Sequence, residues 1–402
     1  MLTLENKCVT KTSGSFQYLT NLRTCIVILV VLYHVGLVYE SSGVGAVFWI
    51  VDDENTNPVS GIINLILDSF VMPLMFFIAG VFALPSLKAK SNVGFIKIKA
   101  ARLMMPWLFG VVFLIPIYML IFHYSRDATV IDYSALWFWN NSTISQSWLW
   151  FLPVLFYFHL ILLALHGLFA NPQVIKTIMA VRPAVMIFTA LMVSTSFYLC
   201  IVMLAANGWI KTLFLDIQLE RALLYFISYL LGVWFERKRL LPSSSVSSKW
   251  IHGLNVILWL PLVSYLLVLL HFLLTQSYIF NAITDQLIIR TSFHLLCLCF
   301  ITLLLFVFKK YFNKTNRIMK LCNAQSYNVY LLHVPVLGGF SLIFRDVELP
   351  SLLIVFMVTG FTYGICVLLG RIWLGLKVWL FALRLTKKHE SCCLANEVNR
   401  EA

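Results

Sequence analysis

Arg23 and His34 are the first residues in this chain whose types and spacing could do chemistry. They stand eleven positions apart. Eleven residues of α-helix advance about 16 Å and turn through about 1100°, which leaves the two side chains about 20° apart on one face. An imidazole with an unperturbed pKa of about 6.5 can take a proton from a hydroxyl at neutral pH. A guanidinium can hold a phosphate through two hydrogen bonds. One helix carrying both would set a cation at one boundary and a titratable base far along the same side.

Asp68 and Glu220 each lie about seven residues from the start of an apolar segment, roughly 10 Å in, near the depth expected of His34. A carboxylate bonded to one imidazole nitrogen fixes the tautomer and supports the imidazolium. Asp68 is the candidate for that task, the alternative being a buried carboxylate paired with another donor. Glu220 has Arg221 or a neighbouring helix as alternative partners. His159, His166, His271 and His294 are read as hydrogen-bonding residues without a chemical role. Lys97, Lys99 and Arg102 crowd the entrance to another apolar segment, and Arg102 lies nearest the boundary. Trp137, Trp148 and Trp150 are read either as an aromatic belt or as a stacking platform for a sugar.

The elements that must position these residues follow from composition. Of 402 residues, 60% are hydrophobic and 12% charged, against about 25% charged in soluble domains. That excludes a water-soluble globule, a disordered chain and a disulfide scaffold. A span needs about 20 apolar residues, and backbone groups in lipid must bond within the span, so an all-α polytopic membrane protein is expected. Ten spans are legible: 22–39, 61–84, 103–122, 148–169, 184–206, 213–235, 251–274, 287–308, 325–344 and 352–380. With both termini cytoplasmic, 25 of the 30 Lys and Arg fall on the inner side and 12 of the 17 acidic residues on the outer side, as the positive-inside rule requires. The net charge of +13 reflects that asymmetry and anionic lipid, not nucleic acid. One integral domain over 1–383 and a polar cytoplasmic tail over 384–402 are expected. Metal chemistry lacks support, since no CxxC or His/Cys cluster has zinc spacing.

Several motifs carry a resemblance. Tyr18-Leu-Thr-Asn-Leu-Arg23 followed by His34 is similar to the opening motif of the acyltransferase 3 family of membrane proteins. Asp68-Ser-Phe-Val-Met-Pro73, Arg102-Leu-Met-Met-Pro106, Trp148-Leu-Trp-Phe-Leu-Pro153 and Ser326-Tyr-Asn-Val-Tyr-Leu-Leu-His333-Val-Pro335 follow in the family's order. The chain departs from the family pattern at Thr20, Thr24 and Val71, where Asp, Gly and His are usual. The layout most resembles the glucans biosynthesis protein C type, associated with succinylation of periplasmic glucans; O-acetyltransferases of surface polysaccharides are near alternatives.

The resemblance implies transfer of an acetyl or succinyl group from cytoplasmic acyl-CoA to a hydroxyl of a periplasmic or cell-surface glycan, in a bacterial inner membrane. His34 would be the general base with Asp68 beside it, Arg23 and Arg102 would hold the CoA phosphates, and Trp150, Glu220 and His333 would contact the acceptor. No cofactor is expected to be bound permanently. The rival reading is a non-enzymatic transporter of glycan or small molecules, since polar residues at one depth could also line a pore. The absence of an internal repeat weighs against it.

Overall fold

The computed structural model describes residues 16–41, 49–126, 146–168, 172–204, 208–240 and 247–375. The expected tail over 384–402, the Ser-rich stretch before Ser247 and Trp137 lie outside the described residues. Within them the chain forms α1 (Gln17–Gly36), α2 (Pro58–Lys88), α3 (Asn92–Ser125), α4 (Phe151–Leu168), a short α5 (Pro172–Ala180), α6 (Pro183–Met203), a hairpin of β1 (Trp209–Lys211) and β2 (Asp216–Gln218), α7 (Leu219–Lys238), α8 (Ser248–Thr275), α9 (Ala282–Tyr311), α10 (Arg317–Phe344) and α11 (Ser351–Gly375). The class is all-α and polytopic. Nine of the helices among the described residues are long and apolar enough to cross a membrane. α7 is not among them; Glu220, Arg221, Glu236, Arg237 and Lys238 occupy its ends. Every expected span coincides with a long helix.

Boundaries differ from expectation where side chains cap the backbone. Asn57 accepts from Ser60 N at 2.8 Å, Asn281 from Thr284 N at 2.9 Å and Asn316 from Met319 N at 2.8 Å, so α2, α9 and α10 begin earlier than hydropathy suggests. The span expected at 213–235 starts instead at Leu219. Asp216 accepts from Gln146 N at 2.7 Å and from Thr212 N at 3.2 Å, which holds 209–218 as a hairpin. Burial raises the Asp216 carboxyl above its usual range, against the lowering effect of those two N–H groups. α3 contains a π-helical turn over Gly110–Leu114. The last turns of α2, α7 and α9 carry Lys88, Arg237 with Lys238, and Lys309 with Lys310. These helices run in the same direction in an alternating bundle, so their bases collect at one end.

α2 is the central helix, packed against α1, α7 and α9. Its closest approach is to α7. A Cβ on Gly80 would lie 2.0 Å from the backbone oxygen of Tyr229, and one on Gly232 would lie 2.1 Å from that of Phe77. Lipid gives no hydrophobic drive between helices, so small residues that let backbones touch supply the packing. Gly80→Ala and Gly232→Ala are each expected to destabilise the bundle by about 1–3 kcal/mol, the usual scale of overpacking. Thermal unfolding in detergent checks this; an unchanged midpoint in both variants would show that α2 and α7 do not depend on that contact.

Candidate active site

His34 lies in the last turn of α1. Gly36 allows α2 to come close at this point, since a Cβ there would meet Asn64 at 2.4 Å. Oriented so that both its oxygen and its nitrogen are satisfied, the Asn64 amide donates to Tyr33 O at 3.2 Å and accepts from Leu37 N at 3.1 Å. The turn bearing His34 is thereby tied to α2 from behind.

His333 of α10 meets His34 across the helix pair with its ring tilted by 54°. Its Nε2 is 3.1 Å from Nδ1 of His34, with ring centroids 4.9 Å apart. Each Nδ1 also lies against a backbone carbonyl: His34 on Val30 O at 2.9 Å and His333 on Tyr330 O at 2.7 Å. A carbonyl only accepts, so both Nδ1 atoms carry hydrogen, which leaves both Nε2 atoms as acceptors. The His333 Nε2 lone pair then faces the His34 Nδ1–H. Nε2 of His34 has no partner among the described residues and is free to take a proton. His333 is fully buried, whereas His34 is partly accessible.

Aromatic rings enclose the pair. Trp49 stacks on His34 at 5.1 Å with an interplanar angle of 20°, and its Nε1 donates to His34 O at 2.9 Å. Arg126 donates to Trp49 O at 3.1 Å and lies over the Phe122 ring, which fastens Trp49 to the end of α3. Trp148 stands edge-on to His333 at 6.4 Å. It is held by its own Nε1 donating to Leu331 O at 3.1 Å and by Tyr330 OH donating to its carbonyl at 2.5 Å. Tyr118 touches both tryptophans at 6.0 Å.

Arg23 is on the same face of α1 and contacts the same neighbour. It donates to Ser326 Oγ at 3.3 Å and Asn323 O at 3.5 Å in the first turns of α10, while its Nε is buried without an acceptor. Asn21 fixes this end: it donates to Phe312 O at 2.8 Å and Lys314 O at 3.1 Å, and its oxygen accepts from Asn323 and Thr315. Thr24, where the family usually has Gly, donates to Asn323 Oδ1 at 2.5 Å. Arg102 is exposed, ten residues into α3, and its carbonyl accepts from Tyr327 OH at 2.7 Å. The Arg23 guanidinium and the Arg102 backbone carbonyl thus contact adjacent residues of α10, Ser326 and Tyr327.

Other expected site residues go elsewhere. Asp68 does not reach His34; it binds Arg221 of α7 at 2.6 Å. The partner supplied to His34 is an imidazole and not a carboxylate. Glu220 accepts from Gly208 N at 2.8 Å and Gln218 Nε2 at 2.7 Å, so it anchors the hairpin and leaves Arg221 to Asp68. Trp150 packs on Trp209 at 5.6 Å and Tyr225 at 5.5 Å, and Trp209 is exposed. Trp49, Tyr118 and the pairing of His333 with His34 were missed by sequence reasoning. A signal for the pairing was present: His34 stands 17 residues into α1 and His333 stands 16 into α10. Both helices run the same way, so both imidazoles come about 25 Å along.

Comparison with known families adds one match: the model described as an acyltransferase domain, of the acyltransferase 3 family, covers residues 16–371. No curated protein and no solved structure matches the chain.

Proposed function

The chain belongs to the acyltransferase 3 family and is a membrane acyltransferase, and on that premise we propose that it moves an acetyl or succinyl group from cytoplasmic acyl-CoA to a hydroxyl of a periplasmic or cell-surface glycan. The observation that carries this reading is the pair of imidazoles, with His333 against Nδ1 of His34 and Nε2 of His34 without a partner among the described residues. In the proposed step Nε2 of His34 takes the proton of the acceptor hydroxyl as that oxygen bonds to the thioester carbonyl carbon. The imidazolium shares its Nδ1–H with Nε2 of His333, which stabilises the positive charge as a carboxylate does in a triad. The tetrahedral adduct then breaks its carbon–sulfur bond, and the thiolate leaves with the proton from Nε2. Base catalysis of this kind contributes about 10² to 10⁴ in rate. The chemistry suits a bacterial inner membrane, where donor and acceptor lie on opposite sides, and the motif order and span layout support the glucan-succinylating type within the family.

The proposed donor path runs along α1 and α10. Arg102, exposed on α3, would meet the CoA phosphates, and Arg23 would stand just inside, with the thin pantetheine arm passing toward His34. Trp150 and exposed Trp209, beside the hairpin, would offer a ring face to a sugar. Mass spectrometry of envelope glycans from cells with and without the gene tests the whole reading. A mass increment of one acetyl or one succinyl unit that disappears with the gene is expected, and identical spectra would overturn it.

The phosphate assignment is tested separately. A charge-assisted hydrogen bond contributes about 1.5–3 kcal/mol, so Arg102→Ala is expected to raise KM for acyl-CoA about tenfold or more with kcat unchanged. Arg102→Lys should fall between, since it keeps the charge and loses the fork. An unchanged KM in Arg102→Ala would place phosphate recognition at other residues.

A further inference from the structure

The structure points to a second ligand site, remote from the imidazole pair, and we propose that it binds an anionic membrane lipid, with the headgroup at Arg290 and an acyl chain in the groove between α6, α7 and α9. The groove encloses about 50 Å³ between these helices. Helix direction gives it two unlike ends. Ser194, Leu224 and His294 line the upper end, and Ile187, Leu231 and Ile301 line the lower end. Each helix contributes seven residues between its two ends, so the groove runs about 10 Å along the helix axes. Its lower end is apolar throughout. Neighbouring α6 residues Val185, Phe188 and Met192 are exposed, as expected of a face in contact with hydrocarbon.

The upper end carries polar groups that the protein leaves unmatched. His294 is 2% exposed; its Nδ1 lies against Arg290 O at 2.8 Å and so donates, while its Nε2 is buried with no partner. That lone pair needs a hydroxyl of the ligand, or of a water the ligand carries. One turn above, Arg290 donates from Nε to Gln286 at 3.1 Å and from one terminal nitrogen to Tyr198 OH at 3.0 Å, and it lies over the Tyr198 ring. The rest of its five N–H donors have no acceptor among the described residues. Nearby Arg221 has Asp68 as counter-ion, but Arg290 meets no carboxylate among the described residues. A guanidinium within an apolar bundle is costly without an anion. A cation at the top of an apolar groove matches an amphiphile with a phosphate head and a hydrocarbon tail. Because Lys309 and Lys310 mark the other end of α9, the lipid belongs to the leaflet opposite those lysines.

Binding is read without turnover, so this proposal and the acyl-transfer reading fail independently. The full chain, delipidated in detergent, is titrated with phosphatidylglycerol or phosphatidylcholine of identical chains, and bound lipid is counted by native mass spectrometry. One phosphatidylglycerol per chain is expected, held at least tenfold more tightly than phosphatidylcholine. Arg290→Gln should abolish that preference while leaving phosphatidylcholine binding unchanged. Ala190→Phe, which fills the groove, should weaken both at least tenfold. Equal binding of the two lipids by the unaltered protein, a measurement that needs no variant, would overturn the proposal. So would a preference that survives Arg290→Gln, or displacement of the lipid by millimolar inorganic phosphate, which would make this a site for free anion.

Discussion

Replacing His34 with alanine is expected to lower acyl transfer by about 10² to 10⁴ while leaving the KM for acyl-CoA within error of the unaltered protein and costing the fold only the ~1–3 kcal/mol of an unpaired His333 Nε2. The expectation rests on the hydrogen-bond economy of one ring. Nδ1 of His34 is committed to Val30 O and to His333, so the only basic atom offered to a substrate is Nε2. Removing the ring deletes that base but takes little from the packing, because Leu22, Ile26, Val30 and Val31 carry the buried faces of α1. His333→Leu should lose less rate than His34→Ala, since it removes the acceptor behind the base and leaves the base itself. His333→Gln should recover part of that loss by offering an amide oxygen to the Nδ1–H. The measurement is single-turnover transfer from labelled acyl-CoA to isolated glycan. Transfer by His34→Ala at the original rate would mean that the base is another residue.

The second large effect concerns stability. Asp68→Asn is expected to destabilise the bundle by about 2–3 kcal/mol. Removing one partner of a fully buried ion pair costs about 3–5 kcal/mol, because the remaining charge stays desolvated. Here the two side chains are 14% and 24% exposed, which lowers the figure. Joint replacement, Asp68→Leu with Arg221→Met, should return most of the loss, since a buried pair and a well-packed apolar pair are nearly equivalent. Unfolding midpoints in detergent give the stability, and specific activity per folded molecule separates structure from chemistry. Asp68→Asn with an unchanged midpoint but abolished transfer would return Asp68 to the catalytic group. Recovery of both midpoint and transfer in the double variant would identify the pair as a clamp between α2 and α7.

The contrast between Asp68 and His333 explains how far the site was legible beforehand. Depth along a helix is a count of residues, and it led to the expectation of His34, Asp68 and Glu220 within one layer. It cannot say which of several groups at one depth share an interface. Asp68 and His34 are on helices that touch, yet Asp68 faces α7 and His34 faces α10. The face that α2 presents to α7 follows from Gly80 and Gly232, where the backbones come together, and that contact turns Asp68 toward Arg221. The same depth argument, applied to His333, would have paired the imidazoles. Glu220 shows another limit, because its partners belong to a hairpin of six paired residues too short to stand out within an apolar run.

The primary structure alone determined that this chain is an all-α polytopic membrane protein and where its long apolar helices lie. Those outcomes depend on the cost of moving each side chain into hydrocarbon, which every segment settles by itself. It also determined that Arg23 and His34 share one side of α1, since helical geometry is local. Only the tertiary structure decided what stands opposite that side. The rotation of one helix against another depends on backbone contacts between residues about 150 apart in the chain, such as Gly80 with Tyr229, and it was these contacts that set His333 and not Asp68 behind the base.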